Sequence, residues 1–152
     1  QTTYTSTVNG IEVSPGVKVG DVRYGATFVG IATPTPPTGL QGAFGGTINY
    51  TPNSPVPGSQ GNTIVGGSWS LVVKQNGKIV GVIAGKVTEG SAIWSGNWWG
   101  GIGTATGAVT LSLSITGGTG IYKGISGTGS FSGTLSHLTM PPTVTGTLQL
   151  TY

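Results

Sequence analysis

Alternation of apolar and hydroxyl side chains is the sequence feature that most constrains the fold of this chain. From Ala108 to Thr116 the odd positions carry Val, Leu, Leu and Ile, whereas the even positions after Ala108 carry Thr or Ser. The same alternation returns from Gly127 to Ser136 and from Thr143 to Tyr152. Because successive side chains of a β-strand point to opposite faces, these segments predict strands with one buried face and one face coated with hydroxyl groups.

The rest of the chain carries the same signal. No window shows the periodicity of an amphipathic helix, and abundant Gly, Thr and Val disfavour helices. The Asn76-Gly77 pair predicts a type I′ turn, because both central residues of that turn need positive φ. Besides the three segments above, the predicted strands are Thr2–Val8, Val17–Val22, Tyr24–Ile31, Ala43–Tyr50, Thr63–Lys74, Lys78–Thr88 and Ala92–Trp98.

The length and the missing charge bear on the fold class. A chain of 152 residues suits a single domain. Only 6% of the residues are charged, against roughly a quarter in an ordinary soluble domain. Strands with so few Lys or Glu side chains have little to prevent pairing of their free edges, and closure into a barrel removes those edges. We therefore predict one all-β domain over residues 1–152, a single antiparallel up-and-down β-barrel, with a β-sandwich as the alternative.

A glycine-rich turn supplies the one family resemblance. The stretch from Ile115 to Leu135, ITGGTGIYKGISGTGSFSGTL, resembles the late-strand region of the allene-oxide-cyclase and dirigent-like β-barrels, in which a strand ends in a GGTG or GGSG turn followed by an aromatic residue and another glycine. The matching residues are Gly117, Gly118, Thr119, Gly120, Tyr122 and Gly124. The resemblance implies a calycin-like or allene-oxide-cyclase-like barrel. For the cyclase members it implies a reactive substrate held in the lumen, but their catalytic groups do not map onto this chain.

Self-association is the first functional prediction. Residues 1–13, which begin QTTYTSTV, are strand-like and are expected to pair with a sheet, either that of their own barrel or that of an adjacent subunit. The strand Ile79 to Val87 is apolar on both faces, which is typical of a covered central strand, of bulges at Gly81 and Gly85, or of a face that packs on another subunit. The predicted assembly residues are Thr2, Tyr4, Val8, Val80 and Val82.

Tryptophans form the best candidate ligand site. Trp94, Trp98 and Trp99 lie within IWSGNWWGGIG, and Trp69 lies on an earlier predicted strand. Indole faces stack on sugar rings or line apolar pockets, so Trp94, Trp98 and Trp99 are predicted to bind a carbohydrate or an apolar small molecule. The alternative is that these rings fill the barrel or pack in an interface.

Groups for catalysis are sparse. The chain has no Cys, one His and three carboxylates, Glu12, Asp21 and Glu89, each isolated in sequence. A catalytic triad with His137 would need one of these carboxylates to orient the imidazole and an oxyanion hole nearby, and no nucleophile-elbow motif occurs, so we expect His137 to face solvent. No catalytic site, metal site or cofactor is predicted. The six cations are scattered, which does not favour nucleic-acid binding, and no apolar run is long enough for a membrane-spanning helix.

These observations lead to three hypotheses about function. The sequence starts at Gln1 without an initiator Met, and we expect a secreted or cell-surface protein. Asn49 begins a formal N-glycosylation sequon, and Thr-Pro and Ser-Pro pairs in the loops Pro34 to Pro37 and Pro52 to Pro57 could carry O-linked sugars; the alternative is an ordinary rigid loop. The leading hypothesis is a non-enzymatic structural protein that forms a filament or surface coat. A barrel that binds a carbohydrate or an apolar ligand is the second, and a cyclase or isomerase acting through lumen shape is the third.

Overall fold

The structure, a computed structural model, describes most of the chain. The described residues are 1–52, 61–95, 98–99, 102–103 and 106–152, and for Pro52, Ser95, Trp98, Trp99, Ile102 and Gly103 the backbone alone is described. Every regular element within these ranges is a β-strand. The strands are β1 (Thr3–Ser14), β2 (Val17–Val19), β3 (Val22–Pro34), β4 (Gln41–Pro52), β5 (Gly61–Gln75), β6 (Lys78–Ser95), β7 (Trp98–Trp99), β8 (Ile102–Gly103), β9 (Thr106–Gly120), β10 (Gly127–Ser136) and β11 (Thr143–Thr151).

Eight of these strands close into an antiparallel barrel. The order around the barrel is β1, β3, β4, β5, β6, β9, β10 and β11, and β11 pairs with β1 again. Neighbours around the barrel therefore follow one another along the chain, apart from the short elements β2, β7 and β8. β2 pairs with the start of β3 as an extra strand, and β7 and β8 form a small separate hairpin. The all-β, up-and-down barrel prediction is confirmed, and the sandwich alternative is not.

The alternation seen in the sequence orients the strands as predicted. Val109, Leu113 and Ile115 of β9 are buried, whereas Thr110 and Thr116 are exposed. Hydroxyl groups pair across strands on the outer surface, as in the contacts Thr47 Oγ1 to Ser68 Oγ at 3.1 Å and Thr3 Oγ1 to Thr151 Oγ1 at 2.9 Å. The hydroxyl coat thus satisfies part of its own hydrogen bonding.

The β5–β6 hairpin confirms one prediction and corrects two others. Asn76 and Gly77 have φ values of 53° and 75°, as the predicted type I′ turn requires. β6 runs without interruption to Ser95, so the predicted separate strand Ala92–Trp98 is wrong. Ile79 was expected on the same face as Ile83, but Val80 is an extra residue between the pairs Lys74–Ile79 and Val73–Gly81. This bulge turns Ile79 outward, where it is 64% exposed.

One half of the barrel interior, the closed end, is filled with side chains. Its fully buried residues include Leu71, Ile83 and Leu150. Ser6 is also buried there, and its hydroxyl donates to the Leu40 carbonyl at 2.7 Å and accepts from the Leu40 N–H at 3.0 Å. The loop that leads into β4 is thereby tied across the closed end.

Three tyrosines complete the closed end. Tyr4 stacks on Tyr152 with ring centroids 4.6 Å apart, and Tyr122 meets Tyr152 edge to face at 6.1 Å. Tyr122 is positioned by the glycine-rich turn, because its N–H donates to the Thr119 carbonyl at 3.1 Å. Burial, followed by the neighbouring phenols, raises the pKa of Tyr152. The turn that carries the family resemblance therefore folds an aromatic side chain back over the end of the barrel.

Candidate functional site

The other half of the barrel, the open end, contains a cavity of about 860 Å³. Small-molecule pockets usually span roughly 300–1,000 Å³ and are lined mainly by apolar and aromatic side chains. This cavity has the same character. Its apolar lining includes Phe28, Phe44, Ile48, Ile64, Leu111 and Phe131.

The cavity exists because small residues occupy inward positions at this end. Ala26, Gly30, Gly46 and Ala92 all line it, and they lie on the strands β3, β4 and β6 of the barrel wall. An eight-stranded barrel is just wide enough to be filled by its own side chains or to hold one small ligand. Because Gly and Ala stand at inward positions where Leu or Val would fill the interior, this end of the barrel has room for one small ligand.

Trp69 forms the floor between the two halves. Its indole packs over Gly85 of the neighbouring strand β6, where a Cβ would lie 2.9 Å from the indole Nε1 and would also collide with the Ser114 carbonyl oxygen. The Nε1–H reaches one strand farther and donates to that carbonyl oxygen at 3.2 Å. Phe44 stacks against the ring with centroids 6.3 Å apart. Trp69 therefore crosses the width of β6 and fixes the depth of the cavity.

Trp94 and His137 form one side of the mouth. Trp94, on β6, pairs in register with Gly107 of β9, and its ring lies against the position where a Gly107 Cβ would stand, 2.9 Å away. Beyond this glycine the indole meets the imidazole of His137, with ring centroids 5.0 Å apart. Burial lowers the pKa of His137. The expectation that His137 faces solvent holds only in part, because Gly107 has no side chain and Trp94 reaches across it to cover one side of the imidazole, which is half-buried.

Three polar side chains form the opposite side of the mouth. Glu12 lies on β1, Arg23 on β3 and Tyr50 on β4, and all three line the cavity. Arg23 is the register partner of Tyr50, and its guanidinium donates to the Gly16 carbonyl at 3.2 Å. Burial raises the pKa of the Glu12 carboxyl, and the positive charge of Arg23 opposes that rise. Burial likewise raises the pKa of Tyr50, so its phenol stays protonated at neutral pH.

The predicted ligand residues fall at the same end of the barrel. Trp94 lines the cavity, as described above. Trp98 and Trp99 form β7, in the segment that links the end of β6 to the start of β9, but their side chains lie outside the described residues. The structure adds Trp69, Glu12, Arg23, Tyr50 and His137 to the site. No local motif marks these five, because they come together only through the register of the barrel.

The predicted assembly residues are spread over the barrel. Thr2 exchanges backbone hydrogen bonds with Tyr152 at 2.9 and 3.1 Å, and Tyr4 stacks on the same residue. Val8 is buried and lines the cavity. Val80 and Val82 are half-buried near the start of β6. β1 pairs with β3 and β11 of its own barrel, and a role of these residues in assembly stays a prediction.

The predicted glycosylation sites are partly described. Asn49 is half-buried, and its Oδ1 accepts a hydrogen bond from the Gly25 N–H at 3.0 Å. This contact leaves the amide nitrogen, to which a sugar would be attached, as the group that points away from Gly25. The loop Pro34 to Pro37 is exposed, whereas residues 53–60 of the second proline-rich loop lie outside the described residues. Glycosylation stays a prediction at each site.

Neither a cluster of metal-ligating side chains nor a membrane-spanning helix is found among the described residues. Among the residues that the structure describes, no three His, Cys, Asp or Glu side chains come close enough together to hold a metal ion. The same part of the chain contains no helix with the length and apolar character needed to cross a membrane.

Comparison with known proteins adds no relative. No protein-family model matches the chain, and no curated protein shows significant similarity to it.

Proposed function

We propose that the barrel binds a small, mainly apolar molecule in the cavity of its open end. The observation that carries this proposal is a cavity of about 860 Å³ whose lining is aliphatic and aromatic and whose polar side chains gather at the mouth. Such a division between an apolar body and a few oriented polar groups is the usual design of a small-molecule site. A carbohydrate fits less well, because most of the lining offers no hydrogen-bonding partner to sugar hydroxyls.

The inward glycines and alanines support this proposal on energetic grounds. Protein interiors are normally packed to the density of organic crystals, and unfilled space lowers stability. The closed end shows that these strands can fill the barrel with Leu, Ile and Val. Retaining small inward residues on three strands at the other end, β3, β4 and β6, lowers the packing density, and a ligand that occupies the space would restore it.

A pair of adjacent substitutions tests the proposal. Ala92 is buried and lines the cavity, whereas Ile93 points outward and is 59% exposed. We expect Nile red, an uncharged fluorescent dye, to bind the wild-type protein and to bind Ala92→Phe at least about tenfold more weakly, because the new ring projects into the cavity and takes up space that the dye would occupy. Ile93→Phe, which adds a ring to the outer face of the same strand, should bind as the wild type does. Binding that is insensitive to Ala92→Phe, or no binding at all, would overturn the proposal.

A structural assembly is the second candidate, and an apolar row on the outer wall favours it. Ile31, Ala43, Val72 and Val82 are consecutive register partners on four neighbouring strands, and none of them is charged. Exchange of β1 between molecules would require the barrel to open, because both edges of this strand are already paired. Assembly through the outer wall avoids that cost. The secreted location and membership in the allene-oxide-cyclase and dirigent-like superfamily stay predictions within both candidates.

Sedimentation of the intact protein tests the second candidate. Replacing Ile31 and Val82 by Lys places two charges in the apolar row, and we expect oligomers of the wild type to dissociate in this double variant. Thr110→Lys adds a charge to an exposed outward position of β9 and serves as the control. A wild-type protein that sediments as a monomer at all accessible concentrations would exclude the assembly candidate.

A further inference from the structure

The polar side of the cavity mouth contains the charged groups that a bound molecule would meet. Among the described residues that line the cavity, Glu12 is the one carboxyl side chain and Arg23 the one guanidinium. They lie on the neighbouring strands β1 and β3, and Tyr50 follows on β4. The polar end of a ligand that enters with its apolar body in the cavity would therefore be received by a carboxylate, a guanidinium and a phenol.

The charges of this group balance each other. Burial raises the pKa of the Glu12 carboxyl, and the positive charge of Arg23 opposes that rise. The guanidinium is held in addition by the Gly16 carbonyl at 3.2 Å. One of the five N–H groups of the guanidinium is thus engaged within the protein, which leaves others to donate to a ligand. The mouth is dipolar rather than cationic.

A dipolar mouth discriminates between ligand head groups. A ligand carboxylate would approach Arg23 but would also meet the Glu12 carboxylate, in a site where burial reduces the screening of like charges. A hydroxyl group has no such conflict, because it can donate to Glu12 and accept from Arg23 or from the Tyr50 phenol. A carbonyl group can accept from the same two donors.

We infer that the cavity selects an uncharged amphiphile, with an apolar body and one hydroxyl or carbonyl group, over a carboxylic acid with the same body. The inference rests on the proposed function and adds the chemical class of the ligand. The chemistry corresponds to isoprenoid or long-chain alcohols, aldehydes and ketones. The Glu12 carboxylate is the selecting group, because it is the part of the mouth that repels an anion.

Farnesol and farnesoic acid test this inference, because they share one hydrocarbon body and differ in the charge of the head group. Their affinities are measured at neutral pH by displacement of Nile red. The wild type should bind farnesol at least about tenfold more tightly than farnesoic acid, the size expected for one charge-assisted hydrogen bond gained and one charge repulsion avoided. Farnesene, which has no head group, should bind more weakly than farnesol.

Two variants with the same change of net charge identify the selecting group. Glu12→Gln removes the carboxylate from the mouth, and we expect it to bind farnesoic acid as tightly as farnesol or more tightly. Glu89→Gln removes an exposed carboxylate of β6 that does not line the cavity, and it should keep the wild-type preference. Binding of Nile red by each variant shows that its cavity is intact.

The outcomes separate this inference from the proposed function. Equal binding of alcohol and acid by the wild type, or a preference for the acid, would overturn the inference while an Ala92-dependent binding of Nile red still supports a small-molecule site. A preference for farnesol that is unchanged in Glu12→Gln would also overturn it. If Glu12→Gln does not fold, the wild-type comparison of the three ligands alone decides. Absence of any Ala92-dependent binding would overturn both proposals together.

Discussion

The two ends of the barrel are built from the same strands and the same alternation, but they use the inward positions differently. At the closed end, residues such as Leu71, Ile83 and Leu150 fill the interior, and three tyrosines cover it. At the open end, Gly and Ala replace them and leave about 860 Å³. The difference shows how a single up-and-down barrel can divide its length between stability and binding, with Trp69 as the boundary.

The largest expected effect comes from removing a large side chain at the closed end. Leu71→Ala should lower the free energy of unfolding by about 3–5 kcal/mol, because it leaves a new void in a filled region. Leu111→Ala, the same substitution at a residue that lines the cavity, should cost only about 1–2 kcal/mol, since it enlarges a space that already exists. Urea unfolding of both variants measures the difference. Equal losses would contradict the division into a filled and a hollow half.

Replacement of the boundary tryptophan should have an intermediate effect. Trp69→Phe loses the hydrogen bond to the Ser114 carbonyl and uncovers Gly85, and we expect a loss of about 2 kcal/mol. Trp94→Phe, the matched substitution at the mouth, should cost less than about 1 kcal/mol, because its ring is partly exposed. Thermal unfolding compares the two. A larger loss for Trp94→Phe would show that the mouth, rather than the floor, holds the barrel together.

The smallest expected effect is a pH dependence that belongs to the open end. Burial lowers the pKa of His137 below its ordinary value of 6.5, so folding favours the neutral imidazole. The stabilisation is fully present above pH 6.5 and is lost as the pH falls through the lower pKa of the folded protein. We expect a loss of less than about 1 kcal/mol, because solvent near the mouth screens the charge. His137→Gln should lack this loss when the two proteins are unfolded at a series of pH values.

Glu12 acts in the opposite direction and must be separated from His137. Its folded-state pKa is raised above 4.5, so its contribution to stability is greatest below that value and is lost as the pH rises through the raised pKa. Both proteins retain Glu12, so its contribution cancels when the free energy of unfolding of His137→Gln is subtracted from that of the wild type at each pH. An identical pH profile for the two proteins would contradict the assigned role of His137.

The strands and their buried faces could be predicted from the sequence, because period-two alternation is a local property. The register of strand pairing could not be predicted, and the face of the sheet on which a given side chain lies depends on that register. A single extra residue at Val80 turns Ile79 outward, away from the face of Ile83 with which the sequence pattern groups it. The break predicted after Thr88 also failed, since β6 passes through Gly90 by pairing with Leu111 of β9.

The cavity lay beyond sequence reasoning for the same reason. Trp94 could be recognised as a ligand candidate because aromatic residues cluster around it in sequence. Glu12, Arg23 and Tyr50 are separated along the chain and meet only because β1, β3 and β4 are neighbours. The small inward residues gave no signal by themselves, because Gly and Ala also stand at outward positions of these strands, as at Ala43 and Ala84.

The pairing of β1 with β11 has a consequence for how the barrel forms. Thr3 and Thr151 are hydrogen-bonded neighbours although 148 positions separate them, so the barrel wall is complete only after the first strand has met the last. Such long-range closure slows folding and leaves two unpaired edges on every shorter intermediate. The same adjacency brings residues 2 and 152 into backbone contact. A short linker between the two ends, with new termini at the Asn76-Gly77 turn, would therefore preserve every strand pairing of the barrel. Only the covalent connection between β5 and β6 would be lost, and the pairing of β1 with β11 would become a local contact.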